Sequence, residues 1–377
     1  MTVRKDAVLD WLLEASDPGV RFFALRDLLG APPDDKDLLA ARRATVRRSP
    51  VRDILGAQDR DGFWVKPGPG YSPKYTGTSW QIIFLGQFGA DGENRRVRRG
   101  ADYVLDHSRA ASPYHGFSAT GRPDGLVHCL QGNLGAALLE LGYGEDPRLR
   151  LALDWLARSI TGDGLSPGGE RPPSRRKCAP DPSRSVGKAD ARRSCHGLGI
   201  RRSAPPDSGD VPRYYRSGTS APGFCCSANN HKPCAWGAIS ALDALSRIRP
   251  SDRTPPQHRA IRVGLAFLLG VDPAQAAYPM GFATKPNGSW FKFGYPLGYV
   301  TDVLRNAEVL VALGKGKDRR LRRLRDLILS KRAPDGRWRL EYSYAGKTWF
   351  DLGAKGAPSK WVTLRARRAL MGLGGDA

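Results

Sequence analysis

The chain has 377 residues and is 40% hydrophobic, which is enough to bury one large core or two or three smaller ones. Six cysteines in a chain of this length exclude a disulfide scaffold, and no apolar run approaches the roughly 18–20 residues of a membrane span. The net charge of +23 favours polyanions, but no helix-turn-helix, zinc-finger or RNA-binding signature accompanies it, so nucleic-acid binding is not expected. The charged, amphipathic first residues lack the apolar segment of a signal peptide, and a cytoplasmic protein is expected.

Residues 1–57 are predicted to form a helical N-terminal cap. The stretch DAVLDWLLEAS has apolar residues at a spacing of three and four, and Asp17 and Pro18 end this helix and start the next. The second helix, PGVRFFALRDLLG, ends at Gly30. A third helical pattern continues through KDLLAARRATVRRSPVRDILGAQ, with an interruption at Pro50.

Residues 58–373 carry a repeating unit of two helices. The first helix of each unit ends in glycine, a short turn containing Asp or Pro follows, and a second amphipathic helix begins, as in an αα-hairpin. The unit occurs in IIFLGQFGADGENRRVRRGADYVLD, ALLELGYGEDPRLRLALDWLARS and VLVALGKGKDRRLRRLRDLILSKR, with a degenerate copy in ISALDALSRIRPSDRTPPQHRAIRVGLAFLLG. Repeats of roughly 50 to 65 residues predict helix pairs that are stacked or arranged in a ring.

A short motif lies at the seams between these pairs. It is QDRDGFW at 58–64 and RAPDGRW at 332–338, with reduced copies TKPNGSW at 284–290 and SITGDGLS at 159–166. Its glycine permits a tight turn after a helix, and its tryptophan is expected to pack across the next pair. The Gln58 amide is expected to cap a neighbouring helix end.

Residues 165–213 do not follow this pattern. The segment is rich in Pro, Gly, Ser and Arg, and it carries 11 Lys and Arg residues against 5 Asp and Glu residues. Because it has few large apolar residues to bury, it is predicted to be a disordered insertion.

The tandem QxxxGxW-type motifs between helix pairs resemble those of the α/α-toroid superfamily of terpenoid cyclases and protein prenyltransferase β subunits. The likeness is strongest to bacterial prenyltransferase/squalene-oxidase-repeat proteins, and CLQGNLGAALLELGYGEDPRL, ANNHKPCAWGAI and GAPSKWVTLRARRAL carry it. It covers most of residues 50–373, apart from the insertion. The resemblance implies an all-α fold, a single α/α toroid joined to the helical cap and interrupted by the insertion.

The chain departs from these families at the positions that define their chemistry. It has no DxDD acid motif, but YVTDVLRNAEVL at 299–310 is similar to the acid segment of oxidosqualene cyclases. The resemblance would make Asp302 the proton donor. The alternative is that Asp302 is an ordinary helix N-cap. The zinc site of Asp, Cys and His in prenyltransferase β subunits finds no matching spacing.

In a toroid the starts of the inner helices gather at one mouth of a central cavity, where free N–H groups and the helix dipole favour a site. Five such starts are predicted, at 75–81, 127–133, 228–237, 299–302 and 358–363. Aromatic residues at these starts could line an apolar cavity and stabilise a cation, or could simply pack the core; they are Tyr75, Trp80, Trp236, Tyr299 and Trp361.

Cysteines and histidines at the same starts raise the question of zinc. The group is Cys129, Cys225, Cys226, Cys234, His128 and His231. Cys129 and Cys234 are the candidate pair, and a thiol bonded to Asp302 could instead tune that acid. Buried cysteines are also common as small hydrophobic residues.

The remaining candidates are polar residues that could hold a substrate head group or, equally, bond neighbouring helices. They are His128, Gln131, Asn133, Asn229 and Asn230, with Lys360 as a candidate anion anchor or a solvated lysine.

The leading expectation is acid-initiated cyclisation or isomerisation of an apolar, isoprenoid-like small molecule, with Asp302 as the acid and no cofactor. The first alternative is a non-catalytic binding or scaffold module, in which bulky side chains would fill the space beside Asp302. The second is a zinc-dependent prenyl-type transferase. A protein partner is left open.

Overall fold

The computed structural model describes residues 6–112, 114–162, 220–230, 232–281 and 283–375. These residues are mostly helical, as predicted, and form thirteen α-helices with one two-stranded antiparallel ribbon of β1 (Ser220–Ala221) and β2 (Cys225–Cys226). In chain order the helices are α1 (Ala7–Leu12), α2 (Pro18–Asp27), α3 (Lys36–Ala44), α4 (Val51–Gly56), α5 (Thr78–Gln87), α6 (Arg95–His107), α7 (His128–Glu140), α8 (Pro147–Thr161), α9 (Ala235–Ser246), α10 (Pro255–Leu268), α11 (Val303–Ala312), α12 (Arg322–Ser330) and α13 (Lys360–Gly372). Within these ranges no helix combines the length and apolar character needed to cross a bilayer. The predicted insertion at 165–213 lies outside the described residues.

All four predicted hairpins are present, as α5–α6, α7–α8, α9–α10 and α11–α12. In three of them the first helix is followed by Gly89, Gly142 or Gly314, with φ of 66°, 92° and 74°. Only glycine adopts this left-handed conformation at no steric cost, so it ends the helix sharply. The degenerate hairpin has Arg247 at the helix end and turns through a short 3₁₀ segment at 250–252 instead.

A capping side chain lies at the start of α6, α8 and α10, and at the start of the 3₁₀ turn Arg319–Leu321 that leads into α12. Asn94, Asp146 and Asp318 each accept a backbone N–H two residues further on, and Thr254 forms a capping box with Gln257. These polar side chains satisfy N–H groups that a helix start leaves without partners. The Asp and Pro residues of the predicted turns therefore have a direct structural role.

The first helices of the hairpins pack against one another in chain order. α5 lies on α7, α7 on α9, α9 on α11 and α11 on α13, and α13 packs on α2. The α7–α9 contact is close because Gly132 lies against the backbone of Ser240, where any Cβ would be 2.2 Å from the carbonyl oxygen. A larger residue at 132 would force these two helices apart.

The tryptophans of the seam motif occupy equivalent positions. Trp64 Nε1 donates to the carbonyl of Ile54 at 2.7 Å, and Trp338 Nε1 donates to that of Ile328 at 2.8 Å. In both cases the backbone N–H of the tryptophan donates to a threonine hydroxyl of the following first helix at 3.0 Å. Gln58 bonds a carbonyl in the first turn of α6 rather than capping a helix end, so its predicted role was wrong.

The N-terminal helices share their core with the rest of the described chain. Phe22 and Phe23 of α2 are buried, and the Phe23 ring lies 6.2 Å from that of Trp361 in α13. Gly19 lies so close to Phe88 that an added Cβ would be 2.5 Å from its carbonyl oxygen. The predicted boundary after residue 57 stays a prediction, but apolar packing continues across it.

Candidate functional site

The five predicted helix starts are confirmed as helix starts. They begin α5, α7, α9, α11 and α13, and their N-cap residues are Gly77, Val127, Cys234, Asp302 and Ser359. We call the side of the molecule where these helices begin the start side, and the opposite side the end side.

An aromatic cluster lies at the start side and consists of Tyr71, Tyr75, Trp80, Tyr299 and Tyr344. The Tyr75 ring centroid lies 4.8 Å from that of Trp80 and 4.5 Å from that of Tyr344, and the centroids of Trp80 and Tyr299 are 5.0 Å apart. Three of these residues were predicted. Tyr71 and Tyr344 were missed, because they lie in loops whose path the helical pattern does not determine.

The backbone at Tyr75 is unusual. Its φ of 68° is a left-handed conformation that costs a bulky residue roughly 1–3 kcal/mol. The Tyr75 carbonyl accepts a hydrogen bond from Gln81 Nε2 at 2.8 Å, which fixes the turn. Lys74 places Nζ 5.7 Å from the centre of the Tyr299 ring, so the chain already supplies a cation at this cluster.

The other two predicted aromatic residues lie elsewhere. Trp236 contacts Trp290, with 6.2 Å between the ring centroids, and takes no part in the aromatic cluster. Trp361 stacks on Tyr295 at 4.7 Å with an interplanar angle of 8°, and lines a cavity described below. The expectation of one aromatic wall built from all five residues was therefore wrong.

Asp302 is the N-cap of α11 and is almost fully buried. Its Oδ1 accepts from the backbone N–H of Arg305 at 2.7 Å and from Arg365 Nη2 at 3.0 Å. Its Oδ2 accepts from the N–H of Gly294 at 3.3 Å and from Arg365 Nη1 at 3.1 Å. Four donors, two of them from one guanidinium, thus occupy both oxygens of this carboxyl group. The geometry supports the N-cap alternative over the proton donor.

A cavity of about 410 Å³ opens between α2, α5, α7, α9, α11 and α13. Gln87 of α5, Glu140 of α7 and Arg247 after α9 line it, so the cavity reaches the end side. This is the opposite side from the one where the sequence predicted a site.

Ten charged side chains form a continuous chain of ion pairs at this cavity, which we call the ion-pair network. In order of contact its members are Asp302, Arg365, Glu308, Arg368, Asp27, Arg26, Glu140, Arg247, Asp243 and Arg305. All of them except Asp302 line the cavity. Five arginines face five carboxylates, so each charge removed from water is compensated by a neighbour.

The arginines of the network lower the pKa of two of its carboxylates, Asp243 and Asp27. Burial raises the pKa of Asp243, but Arg247 and Arg305 outweigh that effect and lower it to about 2. Burial likewise raises the pKa of Asp27, and Arg368 and Arg26 bring it below its usual value. The ionised form of these two carboxylates is therefore favoured at neutral pH.

Sequence reasoning found only Asp302, the adjoining Asn133 and Trp361 in this region. Asn133 Oδ1 accepts from Arg305 Nη2 at 2.8 Å, and its Nδ2 donates to the carbonyl of Gly298 at 3.2 Å. The sequence signal that could have indicated this region is two charged residues, three positions apart, on a helix face that is otherwise apolar. Arg305 and Glu308 have this spacing in α11, where residues i and i+3 share a face.

Three thiols meet at the start side, those of Cys129, Cys226 and Cys234. Burial raises the pKa of Cys129 to about 12, and a hydrogen bond with Cys226, together with burial, raises that of Cys234. The thiolate forms of Cys129 and Cys234 are therefore disfavoured at pH 7, which makes these two thiols poor nucleophiles. Among the described residues, no group of three His, Cys, Asp or Glu side chains is placed to hold a metal ion. His231 lies outside the described residues.

His128 and Gln131 point away from the cavity. His128 Nε2 lies 3.1 Å from Ser159 Oγ of α8, and the imidazole packs edge-on against Phe224. Burial lowers the pKa of His128 to about 3. Gln131 faces the loop at Gly116. A Cβ added to Gly116 would lie 2.6 Å from Oε1 of Gln131. Their predicted role in substrate binding has no support in this geometry.

The remaining predicted residues bond the protein itself. Asn229 donates to the carbonyl of Pro279 at 3.0 Å and accepts from the N–H of Gly281 at 2.9 Å, and Asn230 donates to the carbonyl of Gly281 at 3.4 Å. Both amides thus join two loops.

Lys360 was predicted as an anion anchor or a solvated lysine, and it is neither. Its Nζ lies 2.7 Å from carboxylate oxygens of both Glu14 and Asp17, so it joins α13 to the N-terminal helices.

Comparison with protein-family models and with curated protein sequences gives no match. The likeness to terpenoid cyclases and prenyltransferases therefore rests on the motifs of the chain alone, and its function has to be argued from the geometry of the site.

Proposed function

We propose that the described helices form a single α/α toroid and that it serves to bind a small molecule in its central cavity. The observation that carries the proposal is the cavity of about 410 Å³ lined by six helices from distant parts of the chain. This volume is within the usual range for small-molecule sites, roughly 300–1,000 Å³. The order of packing from α5 to α13, and from α13 to α2, supports the toroid.

Binding is better supported than acid-initiated cyclisation because of the position of Asp302. Its carboxylate receives four hydrogen bonds, is ion-paired with Arg365 and forms no part of the cavity wall. A general acid needs a path to the reacting atom. Asp302 has none into this cavity, because backbone N–H groups and Arg365 occupy its two oxygens and it does not line the wall.

The test uses a substitution that fills the cavity entrance. Ala312 is exposed and lines the cavity, whereas Ala40 is an exposed alanine on α3 that does not line it. The melting temperatures of the wild type, Ala312→Trp and Ala40→Trp are measured against a set of small organic molecules. We expect compounds that raise the melting temperature of the wild type and Ala40→Trp, but not that of Ala312→Trp.

Two results would contradict the proposal. One is that no compound stabilises the wild type. The other is that every stabilising compound acts equally on Ala312→Trp, because binding would then occur outside the cavity.

A further inference from the structure

The arginines of the ion-pair network are more accessible from the cavity than the carboxylates. The side chains of Arg26, Arg247 and Arg368 are 34%, 35% and 34% exposed, whereas those of Glu140 and Glu308 are 8% and 11% exposed. Since all five line the cavity, a molecule that enters it meets more of the guanidinium groups than of these two carboxylates.

Shared carboxylates join the three exposed arginines. Arg26 shares Glu140 with Arg247 and shares Asp27 with Arg368. Arg247 also pairs with Asp243, and Arg368 also pairs with Glu308. The network as a whole is therefore neutral, and what it offers an anion is exposed guanidinium N–H groups rather than a net charge.

Two donors remain free for such an anion. Arg247 uses Nε and Nη1 in its ion pairs, and Arg368 uses Nη1 and Nη2. Within the described ranges, Nη2 of Arg247 and Nε of Arg368 have no protein acceptor. Glu140, Arg26 and Asp27 link these two arginines along the wall of the same cavity, so both donors belong to one run of ion pairs.

Apart from Gln87, Asn133 and Ser246, the rest of the cavity wall consists of apolar and aromatic residues and Gly86. Phe23, Leu297, Leu364 and the stacked pair of Tyr295 and Trp361 line it. A ligand that fills the cavity therefore needs an apolar body as well as a negative group.

We propose that the ligand of this cavity is a small monocarboxylic acid with a cyclic apolar body, whose carboxylate is bound by Arg247 and Arg368. This inference rests on the proposed binding function. Two free N–H donors match the two oxygens of a carboxylate, whereas a diphosphate would need more donors than this network leaves free.

The experiment is calorimetric titration of the full chain with 2-naphthoate, with the uncharged 2-naphthamide and with inorganic pyrophosphate. The variant is Arg247→Gln, and the matched control is Arg249→Gln, because Arg249 is 79% exposed and pairs only with Asp252. We expect naphthoate to bind the wild type and Arg249→Gln alike and to bind Arg247→Gln at least about tenfold more weakly. Naphthamide and pyrophosphate should bind at least tenfold more weakly than naphthoate.

A second variant keeps the test decisive if Arg247→Gln does not fold. Arg368→Lys keeps the positive charge but removes the Nε donor, and we expect it to weaken naphthoate binding at least about fivefold while the circular dichroism spectrum is unchanged. Equal binding of naphthoate and naphthamide would overturn the carboxylate proposal and leave the binding function intact. Tighter binding of pyrophosphate would overturn it in favour of a phosphorylated ligand. If none of the three binds but the compound set stabilises the wild type, the carboxylate proposal fails alone.

Discussion

At the scale of single residues, Asp302 shows how one side chain can satisfy two different sequence patterns. An Asp at the start of a buried helix fits both a cyclase acid and an N-cap, and local sequence does not separate them. The deciding residue is Arg365, which lies 63 positions later and is 2% exposed. Only the tertiary structure brings this guanidinium to both carboxylate oxygens.

Substitution of Asp302 by Asn tests this interpretation. Asn keeps the N-cap hydrogen bond but removes the charge opposite buried Arg365, which would then rely on Glu308 alone. We expect the free energy of unfolding in urea to fall by about 3–5 kcal/mol. The control, Asp318→Asn, changes an N-cap whose partner Arg320 is half exposed, and should cost less than about 1 kcal/mol. Similar losses in both variants would contradict a special role for the Asp302–Arg365 pair.

His128 gives a prediction about pH. Burial lowers its pKa from 6.5 to about 3, so the folded protein keeps it neutral while the unfolded chain takes up a proton below pH 6.5. Stability should therefore fall as the pH falls through this window, by about 1.6 kcal/mol between pH 6.5 and pH 5. Urea unfolding of the wild type and His128→Gln at both values is the measurement. The variant should lose clearly less over the same interval, and equal pH dependence would refute the assignment.

At the scale of elements, the hairpins could be predicted because their signals are local. Glycine at the helix end and Asn, Asp or Thr at the next start are read directly from sequence, and Gly142 followed by Asp146 shows both within five residues. The seam motif was predictable for the same reason. Its tryptophan donates a hydrogen bond to the carbonyl of the residue ten positions earlier, in the preceding helix, as Trp64 does to Ile54.

The sequence did not predict the direction of the side chains at each helix start. Cys129 lies with two other thiols, while His128 and Gln131, one and two positions away, face α8 and a loop. Successive residues of a helix differ by about 100° around its axis, so the outcome depends on how the helix is rotated against its neighbours. The sequence pattern identifies the buried face but not which neighbour each buried polar group meets. The site on the end side was missed for this reason.

At the scale of the whole molecule, the net charge of +23 and the balanced network have different physical origins. The excess Lys and Arg residues act through a long-range field that salt screens. The network is held in a partly buried wall where each arginine has a carboxylate neighbour. A proposal built on total charge would have favoured a polyanion on the surface, whereas the geometry favours one small anion within the cavity.

A second question at the scale of the whole molecule is whether the N-terminal helices unfold as a separate cap or together with the rest of the chain. Phe23 is buried, its ring lies 5.0 Å from Phe22 and 6.2 Å from Trp361 of the last helix, and it lines the cavity. We therefore expect Phe23→Ala to lower the free energy of unfolding of the entire chain by about 3–5 kcal/mol. Leu29→Ala, at an exposed position just after α2, should stay within about 0.5 kcal/mol of the wild type.

Urea unfolding followed by tryptophan fluorescence and by circular dichroism measures both variants. If α2 is integral to the core, the two probes give one coincident transition, and Phe23→Ala shifts its midpoint as a unit. A detachable cap would instead give two transitions, with only the first sensitive to Phe23→Ala. That outcome would mean that residues 1–57 unfold independently of the rest of the cavity wall. Arg26 and Asp27 would then be lost from the proposed binding site when the cap unfolds.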